Sequence, residues 1–461
     1  MSNDPFDRIF ETMNAFSNTS RRRFLAATGS AFAALSASGC STAPAPQIAR
    51  AGNPGRGATG YGPLVKDPAG MLDLPEGFSY RVLSRLGNAM SDGGAVPDKA
   101  DGMGCLDLGN GRIALVRNHE LIPTDDAGGT LAHGYGTRDG AIVPGGTTTI
   151  VLDAETLAVE QEYRSLAGTI RNCSGGVTPW GSWLTCEEAP TGPGQRFGEG
   201  LAKNHGWVFE VPAAAGRQVE AVPLTAMGRF NHEAACVDPR SGIVYLTEDR
   251  DDSVLYRFLP KEPGNLAAGG RLQFMVATDG TRDSRNWDGS AMQVGVSKAV
   301  RWIDIDNVEA PEDDLRMRAA AEGGVLIARG EGIHMGEDEF YVCSTSGGAK
   351  KLGQVFRIRP GYDGADNRFE LFFESESEEQ FNYGDNLTIA PFGDLIVCED
   401  QYTDPVNNYL RGITPEGVAY PFGRLNMQTE LAGGCFSPDG KWFFVNAYSP
   451  TVTVAITGPW V

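Results

Sequence analysis

From residue 101 onward, apolar and polar positions alternate in short runs taken two at a time. A glycine-bearing turn or a Gly-Glu-Asp type turn separates the two runs, and an acidic or amide residue stands near the end of most pairs. Alternation with a period of two, bounded by Gly, Asp and Asn, is the pattern of a β-hairpin. Copies run over residues 101–120, 172–188, 231–250, 329–345, 385–401 and 433–448. Their turns are Gly109-Asn110-Gly111, Trp180-Gly181, Arg240-Ser241-Gly242, Gly336-Glu337-Asp338, Phe392-Gly393 and Asp439-Gly440. A hairpin returns its last residue to the side of its first. The two ends of each unit therefore share one edge, where Cys173 meets Glu187 and Glu188, Glu233 meets Glu248 and Asp249, Glu331 meets Ser344, and Asp385 meets Glu399.

Further strand patterns fill the spaces between hairpins: 147–152 with 157–165, 206–211 with 218–225, 253–259 with 271–278, 354–360 with 368–374, and 409–414 with 417–422. A hairpin plus its following pair makes four strands, which is one propeller blade. Five blades are complete on this count. The sixth, begun by 433–448, has only 451–456 left, so residues 78–86 near the N-terminus are expected to supply its missing strand. The prediction is an all-β, six-bladed β-propeller over residues 71–461, closed by its N- and C-terminal strands and carrying loop and helix insertions. One insertion is 122–144; the other lies between Leu259 and Arg329 and holds 279–290 and the helix-like 312–322. Uneven repeat spacing speaks against a simple solenoid. An array of β-sandwiches is the alternative architecture.

The first residues belong to processing rather than to the fold. Ser20-Arg21-Arg22-Arg23-Phe24-Leu25 matches a twin-arginine export signal, followed by a weakly apolar stretch too short to remain as a membrane helix. Residues 1–40 are read as that signal, with Ser38-Gly39-Cys40 as a candidate lipoprotein site, and residues 41–70 as a flexible tether. The expected location is the periplasm or the medium, reached through the twin-arginine export machinery, with membrane contact only through a lipid on Cys40. Eight cysteines in an exported chain invite a disulfide framework. Six of them, however, sit inside apolar strand patterns, where a free cysteine packs as a small hydrophobe. A net charge of −20 argues against nucleic acid as a partner. A monomer acting on a small molecule is expected.

The opening residues around the predicted ring read Asp101, Cys173, Glu233, Glu331 and Asp385, with Gly433 leaving a gap. Crowding these carboxylates without counter-ions costs several kcal/mol per pair at low effective dielectric. Either some are protonated or cations sit between them. Oxygen donors favour calcium or magnesium, and a thiolate among them favours a transition metal such as iron. Arg329, two residues before Glu331, suits either a phosphate or the neighbouring carboxylates. His119 and His232, each within Asn-His-Glu, are read as structural rather than ligating.

Asn118-His119-Glu120, Asn172-Cys173-Ser174-Gly175-Gly176, Thr178-Pro179-Trp180-Gly181, Thr185-Cys186-Glu187-Glu188, Asn231-His232-Glu233-Ala234, Arg329-Gly330-Glu331-Gly332 and Asp385-Asn386-Leu387 together resemble the motifs of the PhoX-type bacterial alkaline phosphatases. The similarity runs from about residue 70 to the C-terminus. It implies an exported phosphomonoesterase with two ferric ions and calcium at the propeller mouth. By the same resemblance Cys173 ligates iron, while Glu188, Glu233, Glu331, Asp385 and Glu120 are metal ligands, and Arg329 and Asn118 contact phosphate. Two other readings of the residues stand beside it: a calcium-dependent propeller lactonase or esterase, and a non-catalytic, metal-stabilised binding module.

Overall fold

The computed structural model describes residues 60–460 apart from Arg196 and Tyr402. The export signal, Cys40 and most of the tether lie outside the described residues. Among those described, no helix is long and apolar enough to cross a membrane.

All six expected hairpins form. Their inner and second strands are β1 (Ala100–Gly109) with β2 (Arg112–His119), β3 (Asn172–Val177) with β4 (Ser182–Glu187), and β5 (His232–Val237) with β6 (Val244–Glu248). The others are β7 (Gly330–Met335) with β8 (Phe340–Ser344), β9 (Gly384–Ile389) with β10 (Leu395–Glu399), and β11 (Leu431–Phe436) with β12 (Phe443–Ala447). The inner strands neighbour one another in the order β1, β3, β5, β7, β9, β11, and β11 returns to β1. The arrangement is all-β and propeller-like.

The apolar cores lie between neighbouring sheets. Leu184, Cys186 and Val208 pack on Val244, Leu246 and Tyr256 of the next unit. Ile396, Cys398 and Leu410 meet Phe443, Val445 and Val454. Met103, Leu115 and Ile150 of the first unit meet Phe444 and Ala455 of the last. The second strands of the hairpins are buried on both faces: in β4, Leu184 and Cys186 pack against the unit after it and Trp183 against the unit before it. Burying a Leu or Phe side chain this way stabilises by about 1.5–3 kcal/mol. The seven described cysteines are all free, four of them buried in these layers.

The predicted closure is present: Ser79–Arg85 pairs antiparallel with the last strand, Val452–Thr457. Three expectations need correction. Residues 218–225 make no strand; the second unit's sheet has three, and only an isolated bridge joins Phe209 to Pro223. Pro223 cannot donate to a ladder, and Val219 N–H donates instead to Ser165 O of the preceding sheet, at 2.9 Å. The insertion after Leu259 also adds an unforeseen strand, Ser297–Asp304, which pairs with Gly270–Ala277 on one side and Asn367–Glu374 on the other. Finally, residues 60–70 are not tether. Tyr61 sits edge-on to Phe78 and Phe422, and the Asp67 carboxylate accepts hydrogen bonds from the Met71 amide and the Tyr80 hydroxyl, both at 2.7 Å. The helix-like segment forms α1 (Leu315–Ala321), as expected.

Candidate functional site

Near its start, every inner strand carries the same irregularity. Register shifts fall between Ala100 and Met103, Asn172 and Gly175, His232 and Ala235, Gly330 and Ile333, Gly384 and Leu387, and Ala432 and Cys435. One extra residue on the inner strand is a β-bulge, which re-aims a side chain and tightens the local twist. The first residues of these bulges are Asp101, Cys173, Glu233, Glu331, Asp385 and Gly433, so five donors and a glycine share one repeated position. At the sixth, a Cβ would lie 2.4 Å from the Asp101 carbonyl oxygen, and the φ is +65°. Glycine is what fits there.

In the first five units the residue before the strand and the residue after the hairpin are tied together. Glu120, Glu188, Asp249, Thr345 and Asp400 donate their amides to the carbonyls of Lys99, Arg171, Asn231, Arg329 and Tyr383, at 2.8–3.2 Å. The strand-end residues one step earlier face the opposite way. Glu187 accepts from His205 Nδ1 at 2.6 Å and from the Gly206 amide at 2.8 Å. Glu248 accepts from the Tyr256 hydroxyl at 3.0 Å, and Glu399 from Arg411 Nε at 2.7 Å. These three acids are structural. Strand alternation then sends Glu120, Glu188, Asp249 and Asp400 into the mouth.

Three triads have donor atoms within 4.8 Å of one another: Glu120, Cys173 and Glu188; Glu233, Glu331 and Asp385; and Asp385, Asp400 and Glu430. The structure thus brings together all six residues expected as metal ligands. At that spacing two ionised carboxylates repel by roughly 3–4 kcal/mol at an effective dielectric of about 20. Burial and then the Glu331, Glu188 and Asp101 carboxylates push the Glu233 carboxyl well above its ordinary range. Asp101, Glu331, Asp385 and Glu430 are raised too, burial leading in each case. Burial and the Asp101 carboxylate likewise hold the Cys173 thiol protonated.

Charge is divided unequally around the mouth. On one side the Arg171 guanidinium bridges Glu120, with Nε to Oε1 at 2.7 Å, and Glu188. Asn231 Nδ2 donates to Glu188 Oε1 at 2.8 Å and to Asp249 O at 3.0 Å. Arg329 donates Nε to Asp249 Oδ1 at 2.7 Å, and its Nη2 lies 2.6 Å from Glu331 Oε1. Against burial, these arginines hold Glu120 and Asp249 below the ordinary carboxylate range. Across the mouth, among the described residues, no Lys or Arg is ion-paired with Asp101, Asp385, Asp400 or Glu430. Asp101 Oδ1 and Glu233 Oε1 are buried without a partner. Orphaned oxygens beside an uncompensated acidic arc suit hard cations. The triad containing Cys173 adds the sulfur that a transition metal prefers.

Asn118 does not behave as expected. Its Nδ2 donates to the carbonyls of Cys173 and Ser174 at 3.0 and 2.7 Å, and its Oδ1 accepts from Trp183 Nε1 and Thr185 Oγ1, both at 2.9 Å. Fully buried and fully bonded, it holds the bulge that carries Cys173 and offers nothing to phosphate. Asn118→Ala should cost about 3 kcal/mol of stability, because it strands several buried partners. A thermal melt checks this, and a selective loss of phosphate affinity with no change in melting would contradict it. His119 is structural, as expected, with Nδ1 2.9 Å from Asp98 O and Nε2 2.8 Å from Thr148 Oγ1. His232 is bonded only through Nε2, 2.9 Å from Gly228 O, and its Nδ1 is buried without a partner.

The sequence matches the family description "Alkaline phosphatase PhoX" over residues 59–161 and 152–451. The chain belongs to the PhoX family. No curated protein sequence matches it. Among solved structures, it is similar to Pseudomonas fluorescens PhoX in complex with vanadate, at 19% identity and a TM-score of 0.66. That similarity covers 84% of this chain and 96% of the other. A gluconolactonase from Xanthomonas campestris also matches, at 14% identity and a TM-score of 0.40, over 87% of this chain and 99% of the other.

Within this PhoX-family site, Arg171 and Glu430 escaped the sequence reading. Arg171 was legible in principle, since Arg171-Asn172-Cys173 repeats the offset of Arg329-Gly330-Glu331. Glu430 stands before the sixth hairpin's predicted start and gave no such signal.

Carboxyl crowding has a measurable consequence. Burial and the Asp249 and Glu120 carboxylates, opposed by Arg171, push Glu188 from 4.5 to about 8. Between those values the folded protein keeps a proton that the unfolded chain has released, so stability falls as pH rises through that window. In chelator, the melting temperature should therefore drop from about pH 5 to about pH 8, and calcium should flatten the slope. A flat profile without cations would show that the acids are not crowded.

Proposed function

We infer that the protein is an exported, alkaline phosphatase-like phosphomonoesterase, working at the mouth of a six-bladed propeller. The supporting observation is the repeated bulge, which gathers Cys173, Glu233, Glu331 and Asp385 beside Arg329. Membership of the PhoX family supports the phosphatase chemistry. The twin-arginine motif, Ser20-Arg21-Arg22-Arg23-Phe24-Leu25, supports export to the periplasm or beyond.

Cys173, Glu120 and Glu188 would hold iron, and the two all-oxygen triads sharing Asp385 would hold calcium. Bound there, such ions would neutralise phosphoryl oxygens and activate the attacking water. Arg329, whose guanidinium is held between Asp249 and Glu331, would stabilise the charge that develops on the phosphoryl oxygens. Asn231 keeps Glu188 and the Asp249 backbone in register on the same side. The acidic arc opposite repels the anionic substrate wherever it is not covered by cations, which orients the phosphate toward the arginines.

Protein purified with iron and calcium should hydrolyse p-nitrophenyl phosphate, and chelation should stop it. Metal-loaded protein with no turnover on phosphomonoesters would overturn the reading.

A further inference from the structure

Arg171 and Arg329 occupy one repeated position in two different units. Both stand immediately before an inner strand, and both are in the left-handed backbone region, at φ 48° and 51°. Each gives its carbonyl to the residue that follows its own hairpin, Glu188 at 2.8 Å and Thr345 at 3.0 Å. Each guanidinium also bridges two carboxylates, one of them from the preceding unit: Glu120 and Glu188 for Arg171, Asp249 and Glu331 for Arg329. Non-glycine residues in this backbone region cost of order 1 kcal/mol or more and persist where surrounding structure holds them. Asn231 stands between the two, bonded to Glu188 of one pair and to the Asp249 carbonyl of the other.

We propose that Arg171 is a second phosphoryl-binding arginine, acting on the same anion as Arg329 from the other side of Asn231. This rests on the phosphatase reading above. A phosphate monoester carries close to two negative charges at neutral and alkaline pH, and three acceptor oxygens. One bidentate guanidinium satisfies two of them and half of the charge. Glu120 and Glu188, the carboxylates that Arg171 now bridges, form a triad with Cys173. A cation held by that triad would take up the negative charge of Glu120 and Glu188 and leave the positive charge of Arg171 in excess there. A planar group with five donors and an excess positive charge would then draw the phosphoryl oxygens toward its side of the mouth. A lysine would follow as a point charge without the fork.

The test uses full-length, metal-loaded protein and inorganic phosphate as the probe, measured by calorimetry and as a competitive inhibitor, with elemental analysis in parallel. Arg171→Gln should weaken phosphate binding by about tenfold to a hundredfold, the loss expected for charge-assisted hydrogen bonds, with metal content unchanged. Arg171→Lys should restore part of the affinity. Unchanged phosphate affinity at full metal content would make Arg171 a counter-ion only. Loss of metal in both variants would place it in the metal cage instead. Either result overturns the proposal. Failure of the wild-type protein to bind phosphate at all would instead remove the functional reading beneath it.

Discussion

Glu233→Gln is expected to yield a folded protein that no longer hydrolyses p-nitrophenyl phosphate. The carboxyl is buried at the bulge of β5 and packed among Glu331, Glu188 and Asp101, and Oε1 has no hydrogen-bond partner. An amide of the same shape removes repulsion and forfeits no hydrogen bond at that oxygen. In chelator the variant should melt no lower than the parent. Cation binding should suffer, because the lost group is one of three oxygen donors shared with Glu331 and Asp385. Changing a partner that merely orients a ligand costs 10–100-fold in metal affinity or activity, so removing a donor should cost at least about a hundredfold. Turnover equal to that of the parent, with the fold intact, would sink the mechanism.

Cys173→Ser should separate the phosphatase from its rivals. Cys173 is the one sulfur in the three triads, with Sγ 3.7 Å from Asp101 Oδ2. Serine nearly preserves the volume but stays protonated, so the variant should keep calcium and lose iron, together with any thiolate-to-iron optical band. Activity on phosphate esters should fall with the iron. A calcium lactonase or a metal-stabilised binding module has no use for that sulfur. Full iron content and undiminished turnover in the variant would show that the thiolate is not a ligand.

Much of the architecture was legible because each hairpin announces itself locally. The turns 109–111 and 240–242 are read from glycine and polar neighbours, and the strands beside them from their alternation. The closing strand was legible from arithmetic: the sixth unit, with only 451–456 left to it, needed one more strand, and 78–86 was the segment available to provide it. Residues 218–225 misled because their β-like composition conceals Pro223, whose missing amide matters only once a neighbouring strand is in place. Ser297–Asp304 went unread because its value lies in bridging two sheets, a relation between distant segments. Tyr61 looked like tether until Phe78 and Phe422 closed around it.

The candidate site divides in the same way. Residue types and offsets along the chain determined that Cys173, Glu233, Glu331 and Asp385 open equivalent strands, because identical local patterns place identical residues at identical ends. Only the tertiary structure decided where those side chains point. A bulge is a mismatch between two strands, and a single strand read by itself does not contain it. The same is true of the charge balance: Arg171 and Arg329 pair with one arc of the mouth, while among the described residues no Lys or Arg is ion-paired with Asp101, Asp385, Asp400 or Glu430, a division set by neighbours brought in from other units. It also turned Asn118 from an expected phosphate contact into a buried strut, since its four hydrogen-bond partners come from the two strands of the next unit's hairpin, β3 and β4, which meet β2 only when the sheets pack together.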